Sequence, residues 1–169
     1  IKEGRRFAVD VDLSKFFDRV NHDLLMTRLG DKVKDKRLLK LIKRYLRAGF
    51  IDNQFKGESR VGVPQGGPLS PLLANIMLDS LDKELEKRGH KFARYADDFT
   101  ILVKSQRAGE RVLRSISQYL QSRLKLVVNT DKSRVVKTNE SQFLGFTFKA
   151  NRIHWHPKTL LKFKQNVRK

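Results

Sequence analysis

The sequence predicts a single α+β unit, and three observations lead there. Short runs alternate apolar and polar residues as strands do, beginning with RFAVDVDL at residues 6–13. Between them lie longer segments with apolar residues at helical spacing, several flanked by good capping residues. No linker, repeat or low-complexity tract divides the 169 residues, a length suited to one domain.

Taken in order, RFAVDVDL is the first strand, and Asn21 or Asp23 is placed to cap a short helix through LLMTRL. Asp35 precedes KRLLKLIKRYLRAG, where Leu38, Leu39, Ile42, Tyr45 and Leu46 follow helical spacing and Gly49 marks the stop. Residues 50–62 read as a hairpin or loop. Ser70 and Pro71 suit the N-cap and first turn of a helix whose apolar face is Leu72, Leu73, Ile76, Met77, Leu81 and Leu85, ended by Gly89. KFARY and FTILV form a hairpin with Ala96, Asp97 and Asp98 near its turn. Residues 107–124 predict another amphipathic helix. LKLVVN, RVVK, FLGFTF and RIHWH read as short strands.

Composition narrows the partners. Lys and Arg number 37 against 18 Asp and Glu, a formal charge of +19. A polyphosphate backbone is the simplest partner for that excess, because each basic contact releases condensed counterions. A membrane partner is not expected: no helix sets Lys and Arg apart from a large apolar face, and no apolar run approaches a span of about 20 residues. The absence of cysteine excludes disulfides and thiolate metal sites.

Against this basic background FARYADDFTILV places two carboxylates side by side in an apolar run. Two such groups ~4 Å apart repel by roughly 4 kcal/mol at an effective dielectric of ~20. Hydration in a solvent-exposed turn relieves this, and so does a cation. Asp12 ends the first strand and offers a third carboxylate. Mg²⁺ takes oxygen ligands, typically one or two carboxylates with phosphates and water. Two such ions can activate an attacking hydroxyl and hold a leaving pyrophosphate. Asp10 shares the strand face of Asp12 and is expected to be solvated or salt-bridged. VPQGGPLSP at residues 63–71 puts two glycines before a helix start, where backbone can approach a phosphate. His154 and His156 share a strand face without further ligands, so zinc is not expected there. His22 and His90 are expected at the surface or in turns.

The order of these motifs resembles the palm of a reverse transcriptase, and more narrowly the reverse transcriptase/maturases of bacterial group II introns. FAVDVDLSKFFDRVNHDLL is similar to the first palm motif, VPQGGPLSP to the second, and RYADDF to the metal-binding hairpin. LKLVVNTDKSRV is similar to the following lysine motif and FLGFTF to the primer-gripping hairpin. The resemblance implies an antiparallel sheet backed by helices, with part of the fingers. Residues 1–148 correspond to the palm and partial fingers, and 149–169 to a connection toward a thumb and maturase region.

It implies an RNA-directed DNA polymerase that adds a dNTP to a DNA primer on an RNA template. The parent protein is then also expected to bind its intron RNA as a maturase in the bacterial cytoplasm. Two Mg²⁺ ions, with Mn²⁺ as a substitute, fall to Asp12, Asp97, Asp98 and the carbonyl of Leu13. Phe17 matches the steric gate; Gln65 and Gly66 match residues lining the incoming nucleotide. Lys132 matches the lysine that protonates pyrophosphate, Leu144 and Gly145 the primer grip, and Tyr95 a hairpin residue that touches primer. A start without methionine and an end within a helical pattern lead us to expect a weakly active or inactive fragment. The alternatives are a CRISPR-associated or retron-like reverse transcriptase, and a non-catalytic RNA-binding module.

Overall fold

A computed structural model describes residues 3–48, 61–63, 66–149 and 152–167. They form two compact units: Ile1–Asp12, Leu85–Ile116 and Asn129–Lys169 in the first, Leu13–Glu84 and Ser117–Val128 in the second. None of the described helices is long and apolar enough to cross a membrane.

The first unit is organised by a sheet of β1 (Phe7–Val11), β2 (Lys91–Tyr95), β3 (Asp98–Val103) and β4 (Arg134–Lys137) in the order β2-β3-β1-β4. Each neighbouring pair is antiparallel. The central β1 buries Ala8, Val9 and Val11, and β3 buries Phe99, Ile101 and Val103. A helix beginning at Gln106 covers the face that carries Val103. A Cβ at its Gly109 would lie 2.5 Å from Val135 Cγ1 and 3.3 Å from Val103 Cγ2, so only glycine permits this close approach. A two-stranded sheet of β5 (Phe146–Lys149) and β6 (Arg152–Trp155) follows. The terminal helix Pro157–Val167 meets it through the edge-on contact of Trp155 with Phe163.

The second unit is helical. Its helices are α1 (Phe16–Arg19), α2 (His22–Lys32), α3 (Lys36–Arg47) and most of α4 (Ser70–Lys87). Asn21 caps α2 by accepting from Leu24 N–H at 2.9 Å, and Asp35 caps α3 through Arg37 and Leu38. Leu73, Ala74, Met77, Leu78, Leu81 and Leu85 are the buried stripe of α4, whereas Leu72 is 56% exposed. The helical spacing is right, but the stripe is rotated toward Ala74 and Leu78. His22 is not a surface residue: it is buried, and its Nε2 donates to the Gly62 carbonyl at 2.5 Å. That bond holds 61–63 beside α1, helped by Gly62 N–H to Val20 O and Val63 N–H to Phe17 O.

The helix from Gln106, α5, runs to Tyr119 and continues as a π-helical turn, Leu120–Leu124. Lys125 then adopts a left-handed conformation, φ +57°. LKLVVN consequently forms no strand; only Val128 makes a bridge, with Leu13. Most of the hairpin or loop expected at 50–62 lies outside the described residues.

Candidate active site

The site is built on two adjacent strands of the first unit. In the β1–β3 register Asp10 faces Thr100 and Val11 faces Phe99. The pairing ends there, so Asp12 directly follows β1 while Asp98 begins β3, and both line one cleft. Asp98 also pairs with Tyr95, closing a two-residue turn of Ala96 and Asp97. Ala96 has φ +53°, where glycine or asparagine is usual, and its carbonyl accepts from Arg94 Nη1 at 2.8 Å. The turn therefore holds backbone strain beside the acidic pair.

Electrostatics agree with the shared cleft. The Asp98 carboxyl is raised above its ordinary value by partial burial first, then by the charges of Asp10, Asp97 and Asp12. Four carboxylates therefore share one neighbourhood in a chain of strongly positive charge.

The main chain of Asp12 is held from the loop that carries the lysine motif. Its N–H donates to Ser133 Oγ at 3.0 Å, and its carbonyl accepts from Asn129 N–H at 2.8 Å. Asn129 Oδ1 accepts from Asp131 N–H, tightening the same loop. Asp10 is not solvated. Its Oδ1 accepts from Thr100 Oγ1 at 2.9 Å and Ser141 Oγ at 2.7 Å, and its Oδ2 lies 4.0 Å from Arg134 Nε.

These residues line an open cleft of about 470 Å³, shared by Asp10, Asp12, Asp98, Lys132, Leu144 and Gly145. Five of the sequence-selected positions thus come together within one unit. Leu144 and Gly145 form a tight left-handed pair, φ +50° and +81°, bridged by Phe143 and Phe146. A Cβ on Gly145 would lie 3.0 Å from Thr159 Oγ1, and the Gly145 carbonyl accepts from His156 N–H. Tyr95 is 66% exposed at the end of β2.

Leu13, Phe17 and Gly66 belong to the second unit. Leu13 is buried and bridged to Val128. Phe16 is the core residue of the aromatic pair; Phe17 is half-buried, its ring edge-on to Phe16 at 5.1 Å. Gly66 has φ +78° and open space where a Cβ would stand. Gln65 lies outside the described residues.

Among the described residues no group of three or more His, Asp or Glu side chains is close enough to hold a metal ion. The donor set nevertheless suits Mg²⁺, which is commonly held by one or two carboxylates and completed by substrate phosphates and water. Sequence reasoning missed Ser133, Arg134 and Ser141. Ser133 and Arg134 sit inside the lysine motif itself; Ser141 carried no sequence signal.

The family model described as reverse transcriptase (RNA-dependent DNA polymerase) matches residues 1–148. The chain belongs to that family. Protein YkfC of Escherichia coli (strain K12) is 31% identical over 182 residues, covering 88% of this chain and 47% of YkfC. The group II intron-encoded protein LtrA of Lactococcus lactis subsp. cremoris is 25% identical over 214 residues, covering 88% of this chain and 36% of LtrA. This chain thus spans less than half the length of either. Apo telomerase from Candida tropicalis, truncated from its C-terminal domain, superposes with a TM-score of 0.70 at 17% identity. The match covers 89% of this chain and 35% of that one. The fold is the α+β palm of a reverse transcriptase, an antiparallel sheet backed by helices.

Proposed function

We propose that this chain is the catalytic palm of an RNA-directed DNA polymerase of the group II intron type, whose protein also binds intron RNA as a maturase. Residues 1–148 serve as palm with part of the fingers, and 149–169 as a connection beyond it. The observation that carries the reading is the cleft that Asp12 and Asp98 share with Lys132 and the Leu144–Gly145 turn, beside the end of the β1–β3 pairing. The similarity to LtrA supports the intron assignment.

In this reading a primer 3′-hydroxyl attacks the α-phosphate of a dNTP, forming the O3′–P bond as the bond to pyrophosphate breaks. Asp12, Asp97 and Asp98 would hold two Mg²⁺ ions, with the carbonyl of Leu13 as the further ligand that the resemblance implies; such ions would favour ionisation of that hydroxyl and offset charge on the departing pyrophosphate. Asp10 and Ser133 keep the strand carrying Asp12 in place. Lys132 donates a proton to pyrophosphate. The Leu144–Gly145 turn holds the primer end, and exposed Tyr95 touches the primer strand. The Phe17 ring excludes a ribose 2′-hydroxyl, and Gln65 and Gly66 line the nucleotide.

Replacing Asp97 and Asp98 by Asn in the full-length protein tests the assignment. DNA extension on an RNA template is expected to disappear while RNA binding persists. Extension that survives removes the catalytic role from this pair and leaves an RNA-binding module.

A further inference from the structure

A second cavity of the first unit lies away from the carboxylates. It has a volume of about 430 Å³, and Arg5, Arg88, His90, Lys104 and Arg111 gather around it beside Val103, with no acidic residue in its lining. β3 locates it. Asp98 begins that strand and Val103 ends it, five residues or roughly 17 Å away at strand rise. Alternation separates the faces as well as the ends. Thr100 points to Asp10 on the carboxylate face, whereas Val103 meets Gly109 of α5 on the other.

The basic groups are prepared by the protein. Arg5 Nη1 donates to the Leu102 carbonyl at 3.3 Å and Nε contacts Glu3 at 3.2 Å. The Glu3 carboxylate is 62% exposed, whereas the guanidinium is held at 19% exposure beside the cavity. Arg88 Nη1 donates to Ser115 Oγ at 2.7 Å. Lys104 and Arg111 are exposed at the rim. Partial burial, then the charges of Arg88 and Arg5, hold His90 below its ordinary value, so a positive field reaches into the cavity.

We infer that this cavity is a second nucleic-acid site, which takes the phosphodiester backbone of an RNA strand without reading its bases. A lining that gathers Arg5, Arg88, Lys104 and Arg111 and contains no acidic residue suits a polyanion, and guanidinium forks suit phosphate oxygens. The site lies on the helical face at the far end of β3, so a strand held here leaves the carboxylate cleft open. The inference goes beyond the polymerase reading and does not depend on it: the Asp97→Asn, Asp98→Asn change leaves this binding intact.

The test measures binding of labelled single-stranded RNA across a KCl series, with and without Lys104→Gln, Arg111→Gln. Each lost phosphate contact makes the slope of log K against log [salt] shallower by about 0.7 on a single strand, so the double change is expected to flatten it by about 1.4. In the unaltered protein the His90 ring resonances are expected to shift on adding RNA of any sequence, and to move less with anionic phospholipid vesicles. An unchanged slope in the folded variant overturns the site. So does a His90 signal that RNA leaves in place, or that vesicles move more than RNA does.

Discussion

Changing Asp10 to Ala separates a structural carboxylate from a merely solvated one. Asp10 Oδ1 accepts two hydroxyls, from Thr100 at 2.9 Å and Ser141 at 2.7 Å. Both donors are buried, Thr100 at 5% and Ser141 at 0% exposure. Alanine would leave two buried hydroxyls without their acceptor, at about 1–3 kcal/mol each. The expected loss is therefore roughly 2–6 kcal/mol, a large share of the 5–15 kcal/mol that is typical of a domain. With a urea slope of about 2 kcal/mol/M, a loss of about 3 kcal/mol lowers the unfolding midpoint by about 1.5 M. A double-mutant cycle sharpens the test. Ser141→Ala should cost about 1–3 kcal/mol alone, yet little or nothing once Asp10 is Ala, because it then removes an orphaned donor. Coupling of at least about 1 kcal/mol is expected by urea denaturation followed by circular dichroism. A loss for Asp10→Ala below about 1 kcal/mol, or strict additivity in the cycle, refutes the hydroxyl cradle.

Two further outcomes are expected. Because the Asp98 carboxyl is raised in the fold, folding favours its protonated form; that stability is present below the ordinary carboxylate range and is lost as pH rises through the raised value. Asp98→Asn should therefore raise the Tm at about pH 7 in divalent-free buffer and lose that advantage near pH 3, with calorimetry as the measurement; an equal effect at both pH values removes the charge explanation. Phe17→Ala should raise the ratio of ribonucleotide to deoxyribonucleotide incorporation by about tenfold or more in primer extension. An unchanged ratio returns the Phe17 ring to packing against Phe16, at 5.1 Å.

Much of the molecule was legible because local rules govern it. Caps at Asn21 and Asp35 were readable, since a side chain that satisfies helix N–H groups three residues away acts within one turn. The hairpin around Asp97 was readable from two alternating runs and a break. Where local signals competed, the reading slipped. LKLVVN has strand composition, but a left-handed Lys125 and a bond from Leu126 N–H to Leu120 O hold that stretch in the exit of the π-helical turn. Leu73, Met77, Leu81 and Leu85 of the expected α4 stripe are buried, but Leu72 is not, because it is chemically like Leu73 and packing alone decides which one faces inward.

The sequence by itself determined the alternation that puts Asp10 and Asp12 on one strand face, the acidic turn, and the motif order that marks the family. These depend on period and short-range backbone geometry. Tertiary structure alone decided that Ser141 reaches Asp10 from 131 residues away, that Ser133 clamps the Asp12 amide, and that Arg5, Arg88, Lys104 and Arg111 converge on the helical side of the sheet. Strand order and helix placement set such contacts. They are chosen by the burial of the whole core, to which no single segment holds the key.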